Sequence, residues 1–200
     1  MTTSNTRGML SKPATTQATT PLETARLRLV ACTPAHLLAL IEGSEDVASL
    51  LGLPVADQLR GFYVSGDVSP EWLAGLRAAA GEPADPWRHG FFIVETSAGI
   101  VIGSAGFKGP PDAAGMVEIA YGVVPAREGQ GFATEAAGAL MRFAAADPRV
   151  RLLRAHTLPQ ANASTHVLRK CGFVHVGAVV DPDDGLVWRW ERNAPHIGTA

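Results

Sequence analysis

Residues Glu118 to Ala136 read EIAYGVVPAREGQGFATEA, and this stretch changes character at its middle. It begins as an apolar, β-prone run, turns at Gly129 and Gly131, and ends in residues suited to a helix. The pattern predicts a strand that passes through a glycine turn into a helix. A helix start exposes unpaired N–H groups and a partial positive charge, and bare glycine lets an anion approach them. Two interpretations are open here: a turn that is only tight, or a turn whose amides bind a phosphate.

The common glycine-rich phosphate loops have spacings that this turn does not match. A dinucleotide-binding turn needs G-x-G-x-x-G/A, and its last position is Thr134 here. A P-loop needs Gly-Lys-Ser/Thr, which this turn lacks. The turn alone therefore does not decide between the two interpretations.

The chain from residue 90 onwards has the pattern of an antiparallel meander followed by alternating elements. Two apolar runs flank a short turn at Ser97–Gly99 and predict a hairpin, to which residues 116–124 add a third strand. Beyond the glycine turn we predict, in order, a helix, a strand, a helix and two strands, at residues 132–145, 150–157, 163–172, 173–180 and 187–192. This order predicts an α+β, or mixed α/β, fold with a largely antiparallel sheet.

The first ninety residues carry mainly helix signals. Alternation predicts one strand at Glu23–Val30, with its leucines facing the core. Helices are predicted from three signals, namely Thr33-Pro34, residues 45–53 and Ser69-Pro70. The Gly- and Pro-punctuated segments 61–69 and 81–90 are predicted as loops. We expect this region to shape the substrate site through its aromatic residues, which are Phe62, Tyr63, Trp72 and Trp87.

We predict one domain over residues 22–194, between a disordered tail at residues 1–21 and a short C-terminal tail at residues 195–200. The first twenty-one residues hold seven Thr and two Ser, which cannot form a packed core. A start assigned too early, with Met9 as the true first residue, is the alternative.

Charge and cysteine content argue against several classes of function. The net charge is −2, from 17 basic and 19 acidic residues without a like-charge block. This balance opposes a nucleic acid or an acidic membrane as the main partner. Cys32 and Cys171 lie in apolar surroundings without zinc-type spacing, so we predict reduced core cysteines, no metal site and a cytoplasmic protein.

Two motifs together carry a resemblance to a known family. EIAYGVVPA…GQGFATEA, followed by AHTLPQANASTHVLRKCGF, resembles the GNAT superfamily of acetyl-CoA-dependent N-acetyltransferases. The branch that it resembles is that of the ribosomal-protein alanine acetyltransferases. The resemblance covers residues 23–192 and is densest over 101–177. It implies a mixed sheet of about seven strands, splayed between the fourth strand (residues 117–124) and the fifth (150–157).

The resemblance also implies where acetyl-CoA binds. Its pantetheine arm would lie in the splayed gap along the fourth strand, and amides of the glycine turn would bind its diphosphate. The implied cofactor residues are Tyr121, Gly122, Val123, Gly129, Gln130, Gly131, Phe132, Ala133, Thr134 and Asn162. The first position of the family loop, Gln or Arg, is Glu128 here. We expect binding to survive, because backbone amides carry most of the contact, but a carboxylate near the diphosphate should weaken it unless Glu128 points away and pairs with Arg127.

Acetyl transfer to an amine requires a general base, because a free amine is mostly protonated at neutral pH. The resemblance offers two positions for it, Glu118 on the fourth strand and His156 on the fifth. We prefer Glu118 as the base, although the pKa of His156 would need the smaller shift to reach neutral pH. The structural alternatives are a salt-bridged Glu118 at a strand edge and a histidine that only packs beside the sheet.

The departing thiolate needs a proton donor. Many relatives use a tyrosine of the helix after the fifth strand, where this chain has Leu168. The ribosomal-protein branch uses a serine near the start of this helix, which Ser164 matches. The alternative role of Ser164 is that of a helix N-cap, for which serine is well suited.

The predicted function is therefore acetyl-CoA-dependent transfer of an acetyl group to a primary amine, by direct attack on the thioester. The alternative is a sensor on the same fold that binds acyl-CoA without turnover. The acceptor stays open among a protein N-terminus, an amino sugar, a polyamine and an amino acid. A homodimer is a further candidate. We expect the last strand to be exposed, and its Trp188 and Trp190 could then form a dimer contact; the alternative is that they belong to the core.

Overall fold

The computed structural model describes residues 20–43, 46–64, 69–182 and 184–194. The predicted tails fall outside these ranges, apart from residues 20 and 21. The core of the predicted domain over residues 22–194 is described almost throughout.

The described ranges contain eight β-strands and seven α-helices. In chain order they are β1 (Leu22–Glu23), β2 (Leu27–Ala31), α1 (Pro34–Glu42), α2 (Val47–Leu51), α3 (Gly61–Val64), α4 (Pro70–Ala78), α5 (Pro86–His89), β3 (Phe91–Glu95), β4 (Ile100–Phe107), β5 (Met116–Val123), α6 (Phe132–Ala145), β6 (Leu152–Thr157), α7 (Ala163–Lys170), β7 (Val174–Asp181) and β8 (Gly185–Asn193). A 3-10 turn, Pro125–Arg127, joins β5 to the glycine turn.

All strands form one sheet in the order β1-β2-β3-β4-β5-β6-β8-β7. Every pairing is antiparallel except that of β5 with β6, which is parallel. This pairing covers only Met116–Glu118 against Leu152–Arg154, although both strands continue beyond it. The sheet therefore splays between the two strands predicted to part, which confirms the predicted mixed α+β architecture.

Local signals account for most element boundaries. The N-caps predicted for α1 and α4 are confirmed, because the side chains of Thr33 and Ser69 accept hydrogen bonds from the first helical turn. The helix predicted at residues 132–145 has the bounds of α6. Its buried small residues, among them Ala136 and Ala144, let the helix pack closely on β5 and β2.

Four expectations about the elements were wrong in detail. The strand predicted at residues 23–30 is two strands, because Thr24 accepts from Leu27 N and closes a turn between them, and this raises the strand count to eight. The predicted loops at residues 61–69 and 81–90 contain the short helices α3 and α5. The last strand is not exposed: β8 lies between β6 and β7, and Trp190 is 1% exposed. The edge strands of the sheet are β1 and β7, and the homodimer stays a prediction.

Candidate active site

The divergence of β5 and β6 opens a cleft of about 290 Å³. The glycine turn, the start of α6, one face of α7 and Phe62 close its other sides. Eight of the ten residues predicted to hold the cofactor line it, namely Tyr121, Gly122, Val123, Gly129, Gly131, Phe132, Ala133 and Thr134. Gln130 and Asn162 do not line it. The cleft therefore lies where the resemblance places acetyl-CoA.

The glycine turn presents the start of α6 to this cleft. Gly129 and Gly131 have φ values of 71° and 83°, in the left-handed region that glycine adopts without strain. Gly131 is the N-cap of α6, and no side chain in the described ranges caps this helix. By contrast, α1, α4 and α7 each have a side-chain cap. The first amides of α6 thus remain available to an anion.

Arg26, in the turn between β1 and β2, ties the glycine turn to α6. Its guanidinium donates to the backbone oxygen of Gln130 at 3.0 Å, pairs with Glu135 at 2.8 Å and lies 4.5 Å over the ring of Phe132. Thr24 donates to the same carboxylate at 2.7 Å. Partial burial alone would raise the pKa of Glu135, but the hydrogen bonds from Thr24 and Arg26 outweigh it and hold this pKa below its usual value. Glu135 therefore stays ionised and keeps the turn fixed to the sheet.

Glu128, the departure from the family loop, is exposed at the wall of the cleft. The expected pair with Arg127 is wrong, because Arg127 donates to Glu95 at 2.8 Å instead. Within the described ranges Glu128 makes no ion pair. The cleft wall therefore carries a carboxylate without a compensating arginine.

A second, larger cavity of about 860 Å³ lies between α4 and the strands β4 and β5. We call it the acceptor groove. Small residues and aromatic residues both line it, among them Ser104, Gly106, Ala120, Phe62, Tyr63, Trp72 and Phe107, and its charged residues are Glu82, Arg88, Lys108 and Asp184. The cleft and the acceptor groove share three lining residues, Phe62, Tyr121 and Gly122. The two cavities therefore meet on β5, just beyond the point where it leaves β6.

Glu118 and His156, the two candidates for the general base, form one hydrogen-bonded pair. His156 Nδ1 lies 3.0 Å from Glu118 Oε1, and Arg189 Nε approaches His156 Nε2 at 3.5 Å. Because a guanidinium only donates, Nε2 acts as acceptor and Nδ1 carries the proton that points to the carboxylate. Lys108 Nζ lies 3.1 Å from Glu118 Oε1 and 3.8 Å from Asp184. The structure thus makes Glu118 salt-bridged and also places it in contact with the other candidate base.

This pair is connected to the acceptor groove rather than inside it. The side chains of Glu118 and His156 are 14% and 10% exposed and do not line either cavity. Glu118 precedes the groove residue Ala120 by two positions, so both side chains leave β5 on the same face. Lys108 lines the groove and contacts the Glu118 carboxylate. Lys108 therefore links the pair to the acceptor groove.

Ser164 lines the cleft near the start of α7, but it is not the cap of this helix. The N-cap is Asn162, whose Oδ1 accepts from Thr165 N at 3.0 Å, and the Thr165 hydroxyl completes a capping box. The capping alternative for Ser164 is therefore wrong. Tyr121 Oη donates to the backbone oxygen of Ser164 at 3.4 Å. Burial, aided by the nearby Cys171, raises the pKa of the Tyr121 phenol, so this hydroxyl is protonated at neutral pH.

Three further observations concern the described ranges. They contain no group of His, Cys, Asp or Glu side chains that could hold a metal ion. Cys32 and Cys171 are buried and unpaired, as predicted, and burial raises the pKa of the Cys32 thiol. None of the helices described is long and apolar enough to span a bilayer.

Comparison by sequence decides the family. The model of the acetyltransferase (GNAT) domain matches residues 26–174, well over half of the chain. The chain belongs to the GNAT acetyltransferase family. A sequence search among curated proteins gave no match.

Solved structures agree with this GNAT fold. RimL, a ribosomal L7/L12 alpha-N-protein acetyltransferase in complex with coenzyme A, is 18% identical with a TM-score of 0.59, over 88% of this chain and 99% of that chain. Ribosomal-protein-S5-alanine acetyltransferase from Vibrio fischeri is 13% identical with a TM-score of 0.59, over 88% and 98% of the two chains. A GNAT family acetyltransferase from Bacillus anthracis is 14% identical with a TM-score of 0.58, over 87% and 98%. At these identities the likeness shows the fold alone.

The chain is thus a GNAT N-acetyltransferase with acetyl-CoA as its cosubstrate. Two residues of its site, Arg26 and Lys108, were not predicted from the sequence. Phe62 was expected among the aromatic residues that shape the substrate site, but its position between both cavities was not. No local pattern marks Arg26, since it meets its partners across a large sequence separation. Lys108 had a weak signal, because it follows the strand that pairs with the one carrying Glu118.

Proposed function

We propose that this GNAT enzyme transfers the acetyl group of acetyl-CoA to a primary amine by direct attack of the amine on the thioester. The observation that carries the proposal is the meeting of the cleft and the acceptor groove at Phe62, Tyr121 and Gly122. Direct attack requires that both substrates are bound together with the reacting atoms close. A strand that borders both cavities at one point satisfies this requirement.

In this proposal the cofactor binds as the family resemblance predicts. The pantetheine arm pairs with the β5 backbone from Tyr121 to Val123, on the side where β6 has moved away. The diphosphate lies at the uncapped start of α6, beside Gly129 and Gly131. Backbone amides carry this contact, so binding tolerates the exposed Glu128. Asn162 caps α7. Its contact with the cofactor stays a prediction.

The proposed reaction moves two protons. The ammonium group of the acceptor gives one proton through water to the Glu118–His156 pair, and the free amine then attacks the thioester carbon. A β5 backbone N–H stabilises the oxyanion of the tetrahedral intermediate. The C–S bond then breaks, the thiolate takes a proton from Ser164 Oγ, and Ser164 Oγ regains its proton from the positively charged nitrogen of the acetylated amine. The products are the acetylated amine and free CoA.

The experiment that tests the proposal is a panel of primary amines scored for release of free CoA from acetyl-CoA. The panel contains peptides with free N-termini, amino sugars, polyamines and amino acids, since the acceptor groove carries groups of both charges. We expect at least one class to raise CoA release well above the amine-free rate. A rise in Tm with acetyl-CoA, without CoA release by any amine, would instead support the acyl-CoA sensor.

We also place the enzyme in the cytoplasm, because both of its cysteines are unpaired.

Replacing Ser164 by alanine is expected to lower kcat roughly tenfold, below the usual range for general acids because a thiolate is a good leaving group. The KM values of both substrates and the Tm should change little, since Asn162 rather than Ser164 caps α7. Steady-state kinetics and a melting curve check both statements.

The matched control is Asn162→Ala, which should cost about 1 kcal/mol of stability through the lost cap. Tyr121→Phe removes the neighbouring hydroxyl without changing the volume of the ring. Full activity of Ser164→Ala together with slow turnover of Tyr121→Phe would transfer the donor role from Ser164 to Tyr121.

A further inference from the structure

The Glu135 carboxylate, in the first turn of α6, is held by four donor groups from the turn between β1 and β2. Thr24 Oγ1 and Arg26 N each donate to Oε1 at 2.7 Å, and Arg26 Nε and Nη2 lie 2.8 Å from Oε2. A single exposed ion pair would contribute little, but parallel charge-assisted bonds to one carboxylate fix its orientation. We call Thr24, Arg26 and Glu135 the clamp. It joins the edge of the sheet to the start of α6 in one defined arrangement.

The same arginine also holds the glycine turn. Arg26 Nη1 donates to the backbone oxygen of Gln130 at 3.0 Å, and the guanidinium carbon lies 4.5 Å from the centre of the Phe132 ring. Gly129 and Gly131 flank Gln130, and glycine loses more conformational freedom on ordering than any other residue. The clamp therefore restricts the part of the chain whose backbone would otherwise be freest.

The clamp acts on the cleft from behind. Thr24, Arg26 and Glu135 do not line the cleft, whereas Gly131, next to Gln130, does. We infer that the clamp positions the glycine turn for the acetyl-CoA diphosphate, and that Arg26 acts through the turn and not as a phosphate ligand. The inference rests on the proposed function, which places the diphosphate at the start of α6. The three clamp residues are thus positioning residues for cofactor binding.

The size of the effect follows from the freedom that the turn would regain. Ordering the backbone of one free residue on binding costs about a tenfold loss of affinity, and the turn consists of residues 129–131. We therefore expect Arg26→Met to raise the Kd for acetyl-CoA at least about tenfold. At saturating acetyl-CoA, kcat should stay within about twofold of wild type, because the bound cofactor orders the turn again.

Two further substitutions separate positioning from the charge of Arg26. Arg26→Lys keeps the positive charge but cannot form parallel bonds to a carboxylate, so we expect it to bind acetyl-CoA about as weakly as Arg26→Met. Glu135→Gln removes a negative charge near the start of α6, which by electrostatics alone would strengthen the binding of an anion. Positioning predicts the opposite sign, a higher Kd, because the amide NH₂ group faces the guanidinium and releases it.

The matched controls, Arg154→Lys and Glu191→Gln, disrupt a pair of the same kind away from the cofactor. Arg154 Nε and Nη2 donate to Glu191 Oε1 at 2.9 and 2.7 Å, and neither residue lines the cleft or the acceptor groove. Calorimetric titration with acetyl-CoA measures Kd without turnover, amine-dependent CoA release measures kcat, and a melting curve shows that each variant is folded. The controls should keep the wild-type Kd within about twofold.

The inference is supported if Kd rises in all three clamp variants and kcat is retained. It is overturned if folded Arg26→Lys binds acetyl-CoA as tightly as wild type, or if Glu135→Gln binds it more tightly, since the charge of Arg26 would then serve the diphosphate directly. An unchanged Kd in folded Arg26→Met overturns it as well. Failure of the proposed function looks different, because wild type would then bind acetyl-CoA without releasing CoA in response to any amine.

Discussion

Replacing Glu118 by glutamine is expected to lower kcat on the order of a hundredfold, with acetyl-CoA binding nearly unchanged. The amide keeps the shape of the carboxylate, and its oxygen can still accept the 3.0 Å hydrogen bond from His156 Nδ1. It cannot take up a proton, however, and it removes the negative charge that would stabilise a protonated His156. Steady-state kinetics with the most active amine and the Tm rise with acetyl-CoA measure the two quantities.

Because Glu118 and His156 are in contact, the double variant provides a further test. Two independent bases would give multiplicative losses in the double variant. A pair that acts as a unit gives non-additive losses. We therefore expect Glu118→Gln with His156→Ala to be little slower than the slower single variant.

Glu191→Gln is the matched control for Glu118→Gln. Glu191 pairs with Arg154 on the same half of the sheet at 2.7 Å, and it lines neither cavity. The control should retain nearly full turnover. Full turnover of Glu118→Gln, with loss only in His156→Ala, would make His156 the base and Glu118 at most its positioning residue.

Replacing Gly131 by valine is expected to abolish the Tm rise that acetyl-CoA causes. The sequence alone predicts that the new side chain crowds the diphosphate. The structure gives a different reason: Gly131 has φ +83°, and a Cβ atom there would lie 3.4 Å from Arg26 Nη2. Valine would therefore both strain the turn and displace the arginine that holds Gln130 and Glu135 in place. At 100 times Kd a bound cofactor adds about 2.7 kcal/mol of stability, so its loss is readily measured by thermal melting.

Gly99→Val separates backbone strain from loss of the site. Gly99 has φ +63° in the turn between β3 and β4, and a Cβ atom there would meet nothing within 4 Å. This variant should melt at a lower temperature and yet keep the full rise with acetyl-CoA. If Gly131→Val kept that rise, the diphosphate would not bind at the start of α6.

Local chemistry made several features predictable from the sequence. Thr33-Pro34 and Ser69-Pro70 specify helix starts through groups only three residues apart, and the glycines specify the turn into α6 by the φ values they allow. A capping residue followed by proline, Asp85-Pro86, also begins α5. The prediction of a loop there therefore overlooked a helix-start signal that is present in the sequence. The splayed pair of strands was predictable only through the family resemblance, because hydrophobic alternation does not reveal where two strands part.

The residues alone were thus enough to predict the strand–turn–helix around Gly129 and Gly131, the meander before it, and the polar residues suited to acetyl transfer. Which of these residues meet became clear only from the folded chain. Glu118 and His156 are 38 positions apart, and Arg26 and Glu135 are 109 apart. Whether such groups touch depends on strand register and on how helices pack across the sheet, and both are properties of the whole chain. Phe62 became a site residue for the same physical reason, since the packing of α3 over β5 placed its ring on Gly122.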